Sequence, residues 1–163
     1  MNVDLGQVAV EYATLGFRVF PVVIDARGRK LPLTPHGHLD AVDDPDRARE
    51  LFAGKGAHAI GMVHDRLLVV DVDVKHGSPG KEMFLTVKHV LPEPLAIVST
   101  PSGGRHYYYP PPTDRPHKRQ THVLPGIDIL MGEKGWIGVP PSPGYEFIEG
   151  SMEAVAHALS GQA

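Results

Sequence analysis

The chain has 163 residues, is 42% hydrophobic and 21% charged, and carries a formal net charge of −3 with no cysteine. The length suits one domain with a buried core, and the lack of cysteine excludes disulfides, thiol catalysis and a cysteine-bound zinc site. The acidic balance argues against a globally basic nucleic-acid binder, so any such contact must use local basic patches. No apolar run nears membrane-spanning length, and residues 1–10 lack the basic stretch and apolar core of a signal peptide. A cytoplasmic protein with no membrane partner is expected.

In chain order, Leu5, Val8, Ala9, Tyr12 and Leu15 recur at helical spacing, with Asp4 as N-cap and Gly16 as stop. Residues 18–24 read as a strand, in which Pro21 argues for an edge or irregular position. Residues 25–43 read as a long loop. A helix is predicted from the Asp44 cap and Pro45 to about Ala53. Residues 59–63 form a short strand, and His64-Asp65 turns the chain into the apolar run Leu67-Leu68-Val69-Val70. Ser78-Pro79 reads as the cap and first turn of a helix reaching about Val90. Strands follow at 95–99, 105–109, 126–131, 136–139 and 145–148, and Ser151 caps a final helix. The sum is one mixed α/β domain over residues 1–163, its later half largely antiparallel.

The chemistry-bearing residues start with Asp71-Val72-Asp73, which follows that apolar run. Alternation along a strand puts Asp71 and Asp73 on one face and Val70, Val72 and Val74 on the other. Like charges at the end of a core strand repel and are costly to desolvate, and a hard divalent cation offsets both costs. The same pair also suits a solvated acidic strand end, and spacing alone does not choose.

Thr100-Pro101-Ser102-Gly103-Gly104-Arg105-His106 joins two predicted strands. Its glycines admit a ligand close to backbone N–H groups, and Ser102, Arg105 and His106 add a hydroxyl, a charge and an imidazole. A plain glycine-containing hairpin turn explains the same residues, and they are read so when taken alone. Arg105 and His106 are strand neighbours, so only one of them faces a given site. Asp128, within Gly126-Ile127-Asp128-Ile129-Leu130, is either a hydrogen-bonded structural acid or a third metal ligand. With Asp71 and Asp73 it makes three carboxylates, enough for one or two Mg²⁺ ions that also bind phosphates. Lys30 is a point charge within reach of a phosphate, or a solvated loop lysine. Residues 101–122 hold Arg105, Arg115, Lys118 and Arg119 against the single acid Asp114, beside Tyr107, Tyr108, Tyr109, His106, His117 and His122. Cations beside aromatics suit a phosphate backbone and stacked bases; residues 115–122 are read as a loop that nucleic acid would contact.

The ordered set of segments resembles the N-terminal catalytic domain of bifunctional DNA primase-polymerases, in the archaeo-eukaryotic primase superfamily. The matching pieces are Ala13-x-x-Gly16, Val19-Phe20-Pro21-Val22, Lys30-x-Pro32, Asp40-Ala41 with Asp44-Pro45, and Ile60-Gly61. They continue with Val70-Asp71-Val72-Asp73, the 100–108 segment, Gly126-Ile127-Asp128-Ile129, and the stretch from Gly135-Trp136 to Pro140-Pro141-Ser142. The resemblance implies an α/β (α+β) fold, with an RNA-recognition-motif-like catalytic core and an N-terminal α/β module. It implies template-directed nucleotidyl transfer in DNA replication, as DNA polymerase and primase, by two-metal catalysis. Asp71, Asp73 and Asp128 match the catalytic, metal-binding acids for two Mg²⁺ or Mn²⁺ ions, with no zinc. His106 matches the triphosphate contact, Ser102, Gly103, Gly104 and Arg105 belong to the same nucleotide-binding turn, and Lys30 matches a recurrent basic position. Implied partners are a single-stranded DNA template, a primer strand, dNTP or NTP, and a helicase domain in the same, longer replication protein.

After Asp128, where relatives often carry Arg-Gly and then Gly-Gly-Tyr, this chain has Leu130-Met131-Gly132 and Lys134-Gly135-Trp136. A basic nucleotide contact is therefore missing there or supplied by Lys134. Two rivals stand beside this reading: a metal-dependent phosphoesterase or nuclease, and a non-catalytic nucleotide- or DNA-binding module.

Overall fold

Hydrogen-bonding patterns that are local in sequence explain the helices. The computed structural model describes residues 2–113 and 120–161. Helix α1 (Leu5–Thr14) starts where the Asp4 carboxylate accepts the Gln7 backbone N–H, and α2 (Pro45–Phe52) starts where Asp44 accepts that of Arg47. The last helix, α4 (Met152–Ser160), is capped by Ser151, whose hydroxyl accepts the Ala154 N–H. Each cap satisfies an N–H that the first turn leaves without a partner. Helix α3 (Gly80–Val87) departs from expectation at its start, where Ser78 does not cap it, while a 3₁₀ turn at Lys88–Val90 carries it to the expected end.

The chain divides into two compact units. The first comprises Met1–Val63 and Trp136–Tyr145. It holds β1 (Val19–Ile24), β2 (Lys30–Pro32), β3 (Ala59–Val63) and β9 (Trp136–Val139) in one antiparallel sheet of order β2-β1-β3-β9. This unit therefore takes its last strand from far along the chain. Helices α1 and α2 pack on each other, and Ala9, Ala13, Ala48, Val19, Ile60 and Met62 are fully or almost fully buried.

Two expectations change in this unit. Residues 25–43 are not all loop, because β2 pairs with β1 and a 3₁₀ turn forms at Gly37–Asp40. Strand β1 is flanked on both sides, so Pro21 does not sit on an edge strand. It is tolerated because β2 ends at Pro32, opposite Val22, and beyond that only the Leu33 N–H reaches the Pro21 carbonyl. A residue's N–H and C=O point to the same side of its strand, so the donor proline lacks falls where β2 has already stopped.

The second unit comprises His64–Gly135 and Glu146–Ala163. Its antiparallel sheet runs β10-β5-β6-β4-β8-β7, built from β4 (Leu68–Val72), β5 (Ala96–Ser99), β6 (Arg105–Tyr109), β7 (Gln120–Leu124), β8 (Ile127–Met131) and β10 (Glu146–Glu149). Strand β7 corrects the loop reading of 115–122 at its C-terminal part. Arg115, His117, Lys118 and Arg119 lie outside the described residues.

Register sorts this sheet into two faces. Ile97, Tyr107, Val70 and Ile129 line up across four strands, and Val70, Val72, Phe84, Ile97, Tyr107, Tyr109 and Ile127 form one core cluster. Phe84 of α3 stacks on Tyr107 at 4.2 Å between ring centroids, which fixes α3 to this face. Burial raises the Tyr109 phenol above its ordinary pKa, with smaller contributions from Tyr107 and Glu93. No helix among the described residues is long and apolar enough to cross a membrane.

Candidate active site

The other face of the six-stranded sheet carries the acids. Val98, His106, Asp71 and Asp128 are successive cross-strand partners on β5, β6, β4 and β8. The next row on the same face is Ala96, Tyr108, Val69 and Leu130, all buried. A dry apolar floor thus ends in a row of one imidazole and two carboxylates. His106 Nε2 lies 3.5 Å from Asp71 Oδ1, with the histidine side chain 7% exposed and the aspartate side chain 32% exposed. His106 and Asp71 are at once neighbours in space and graded in burial, the histidine in the protein and the acid at the water's edge.

Asp73 lies one residue past the end of β4 and is exposed. Its backbone is clamped on both sides: its N–H donates to the Gly126 carbonyl at 2.8 Å, and its carbonyl accepts the Gly80 N–H at 3.1 Å. One carboxylate oxygen, Oδ1, accepts the Lys75 N–H at 2.7 Å. The clamp requires glycine at both neighbours. A Cβ on Gly80 would stand 2.3 Å from the Asp73 carbonyl oxygen, and one on Gly126 would stand 2.4 Å from the Gly80 nitrogen and 2.5 Å from Ser78 Oγ. Sequence reading missed this role for Gly80, Gly126 and Ser78; the signal was the Ser-Pro-Gly punctuation after the aspartates, which reads just as well as a helix cap.

The Thr100–Arg105 segment is a hairpin turn. The Gly103 N–H donates to the Thr100 carbonyl and the Thr100 N–H to the Gly104 carbonyl, each at 3.0 Å. Gly103 has φ of +87°, and a Cβ on Gly104 would meet the Val72 carbonyl oxygen at 2.3 Å. The glycines are thus required by the turn and by the close approach to β4, and the Gly103 amide is already engaged. Ser102 and Gly103 are exposed. Arg105 pairs with Val72 and Ser99, in the register opposite to His106, so the structure places these two expected contacts on different faces of the sheet. Leu130 and Met131 are buried, and Lys134 is exposed in the bend after them.

Lys30 belongs to the first unit. Its ammonium donates to the Tyr145 hydroxyl and stands 4.9 Å from the Tyr145 ring centroid and 5.7 Å from that of Trp136. Trp136 in turn meets Phe20 edge-on at 5.0 Å. Gly61 and Gly138 are cross-strand partners; a Cβ on Gly61 would stand 2.5 Å from the Phe20 ring, and one on Gly138 would stand 2.6 Å from the Tyr145 ring. The two glycines make room for the aromatic bed under the lysine, where cation–π attraction restrains it. Tyr145 and Trp136 are partners of Lys30 that no local pattern announces.

Asp71, Asp73 and Asp128 offer hard oxygen donors that suit Mg²⁺ or Mn²⁺ in kind. Two carboxylates opposed across adjacent strands also gain from a cation between them. Among the described residues, no three of the His, Asp and Glu side chains close into a ready-made metal cluster.

The family model described as bifunctional DNA primase/polymerase, N-terminal, matches residues 9–158. Comparison with curated proteins finds no match.

Proposed function

The chain belongs to the bifunctional DNA primase/polymerase N-terminal family, and we propose that it performs template-directed nucleotidyl transfer on the sheet face bearing His106, Asp71 and Asp128. The observation that carries this reading is their shared cross-strand row, with Asp73 clamped at the end of the same strand. In this reaction the primer's 3′ oxygen bonds to the α-phosphorus of a nucleoside triphosphate, and the bond to the leaving pyrophosphate breaks. Divalent ions held by Asp71, Asp73 and Asp128 would supply charge neutralisation and lower the pKa of the attacking hydroxyl. His106, dry and beside Asp71, donates to a phosphate oxygen, and its low-exposure setting strengthens that bond. Ser102 adds a hydroxyl from the adjacent turn. Lys30, restrained over its aromatic bed, offers a separately held cation for nucleotide or template phosphate.

The proposed catalytic core is RNA-recognition-motif-like, of the archaeo-eukaryotic primase type. Strand order supports it: β4, α3, β5, β6 and β8 come in that order along the chain, with β7 between the last two, and the first of these strands lies between the third and the fourth in the sheet. Substrates are a single-stranded DNA template, a primer strand and dNTP or NTP.

The test is incorporation on primed and unprimed template with dNTPs or NTPs and Mg²⁺ or Mn²⁺. Primer elongation is expected; shortening would support a nuclease, and nucleotide binding without incorporation a non-catalytic module. Asp71→Ala and Asp73→Ala should each abolish incorporation while far-UV circular dichroism stays unchanged. An active double variant overturns the assignment of these acids.

A further inference from the structure

We propose that the opposite face of the six-stranded sheet carries a second phosphate-binding pocket, framed by Lys81, Lys88 and Arg105. A cavity of about 190 Å³ lies there between α3 and the ends of β4 and β6. Its apolar wall includes Val72, Phe84 and Tyr107, which are 4%, 5% and 8% exposed. Lys81 and Lys88 stand seven residues apart on the α3 side, with Phe84 between them, so one helix stripe bears a cation at each end and an apolar middle. Arg105 closes the pocket from β6.

Three features point to an anion. No carboxylate lines the cavity among its described residues. None of the three cations is ion-paired among the described residues. The whole chain has a net charge of −3, so three cations with no acid among them are a local exception. A one-sign cleft over a low-dielectric wall concentrates field and attracts the opposite charge. Arg105 presents a planar fork of donors that matches phosphate oxygens, and the lysines add two point charges.

The site is separate from the acids. Arg105, Val72 and Tyr107 alternate with His106, Asp71 and Tyr108 along the same strands and so occupy the other face. The ligand is a phosphate group, either of a single strand or of a free nucleotide or pyrophosphate. Nothing here requires catalysis, so a failure of incorporation leaves the pocket standing, and the converse also holds.

The experiment uses the full chain in EDTA, without divalent ions. Fluorescence anisotropy follows a labelled oligothymidylate, and calorimetry follows inorganic pyrophosphate and dATP. The variant K81A/K88A/R105A should bind one or both classes of probe roughly tenfold more weakly. Loss of three phosphate contacts should reduce the salt slope for the oligonucleotide by about 2. Loss for the oligonucleotide alone assigns the pocket to a strand, and loss for pyrophosphate and dATP alone assigns it to free nucleotide. K81R/K88R/R105K, which keeps every charge, should retain most of the binding. Pyrophosphate should shift the Gly104 and Lys81 amide resonances of the wild-type protein and leave that of Asp128 in place. Unchanged affinity and salt slope in a folded triple alanine variant overturn the proposal, as does equal competition by polyglutamate.

Discussion

Asp71 and Asp128 face each other across neighbouring strands, and like charges so placed are destabilising. Removing one charge relieves that repulsion, yet it also removes an acid the proposed reaction needs. Asp128→Asn keeps the shape of the site and leaves the contact between Asp71 and His106 in place. Urea unfolding should show this variant to be more stable by up to about 1 kcal/mol, and the incorporation assay should show it to be inactive. An active Asp128→Asn protein argues for the structural-acid reading of this residue. The row was partly legible in the sequence: alternation correctly separated Asp71 from Val70 and Val72, and His106 from Arg105. What it could not supply was which residues stand opposite each other, because register is a property of paired strands and not of either one.

At the scale of elements, the junction of β4, α3 and β8 fixes Asp73. Gly126 has φ of +76° and leaves no room for a Cβ, so Gly126→Ala combines left-handed strain with a backbone clash. It should destabilise the fold by about 2 kcal/mol or more in urea titration. Incorporation measured where the variant is still folded should also fall, since Asp73 is held through the Gly126 carbonyl. A variant of normal activity would show that Asp73 does not depend on this clamp. The same junction explains where sequence reading stopped. Helices α1, α2 and α4 were legible because their caps, Asp4, Asp44 and Ser151, bond within three residues of themselves. The start of α3 was misread because Ser78-Pro79 has the composition of a cap, while Ser78 sits where a Gly126 side chain would go. Strands β2 and β7 were missed because Lys30-Leu31-Pro32 and Gln120-Thr121-His122 carry no alternating apolar signal. They are strands only because β1 and β8 offer them partners.

At the scale of the whole molecule, neither unit is a continuous piece of chain. Strand β3, with Ala59, Ile60 and Met62 fully buried, needs β9 on one side, and Ile60 donates its N–H to the buried Ser142 hydroxyl at 2.8 Å. A fragment of residues 1–63 lacks both partners and would expose an apolar strand edge. It should show no cooperative thermal transition by circular dichroism, whereas the full chain should show one. A fragment that melts cooperatively would mean the first sheet closes without β9. The same interleaving sets a timetable during synthesis. Seventy-six residues separate the end of β3 at Val63 from the end of β9 at Val139. At ribosomal speeds that is a delay on the order of 4–15 s, during which a nascent sheet edge stands open to chaperones and to neighbouring chains.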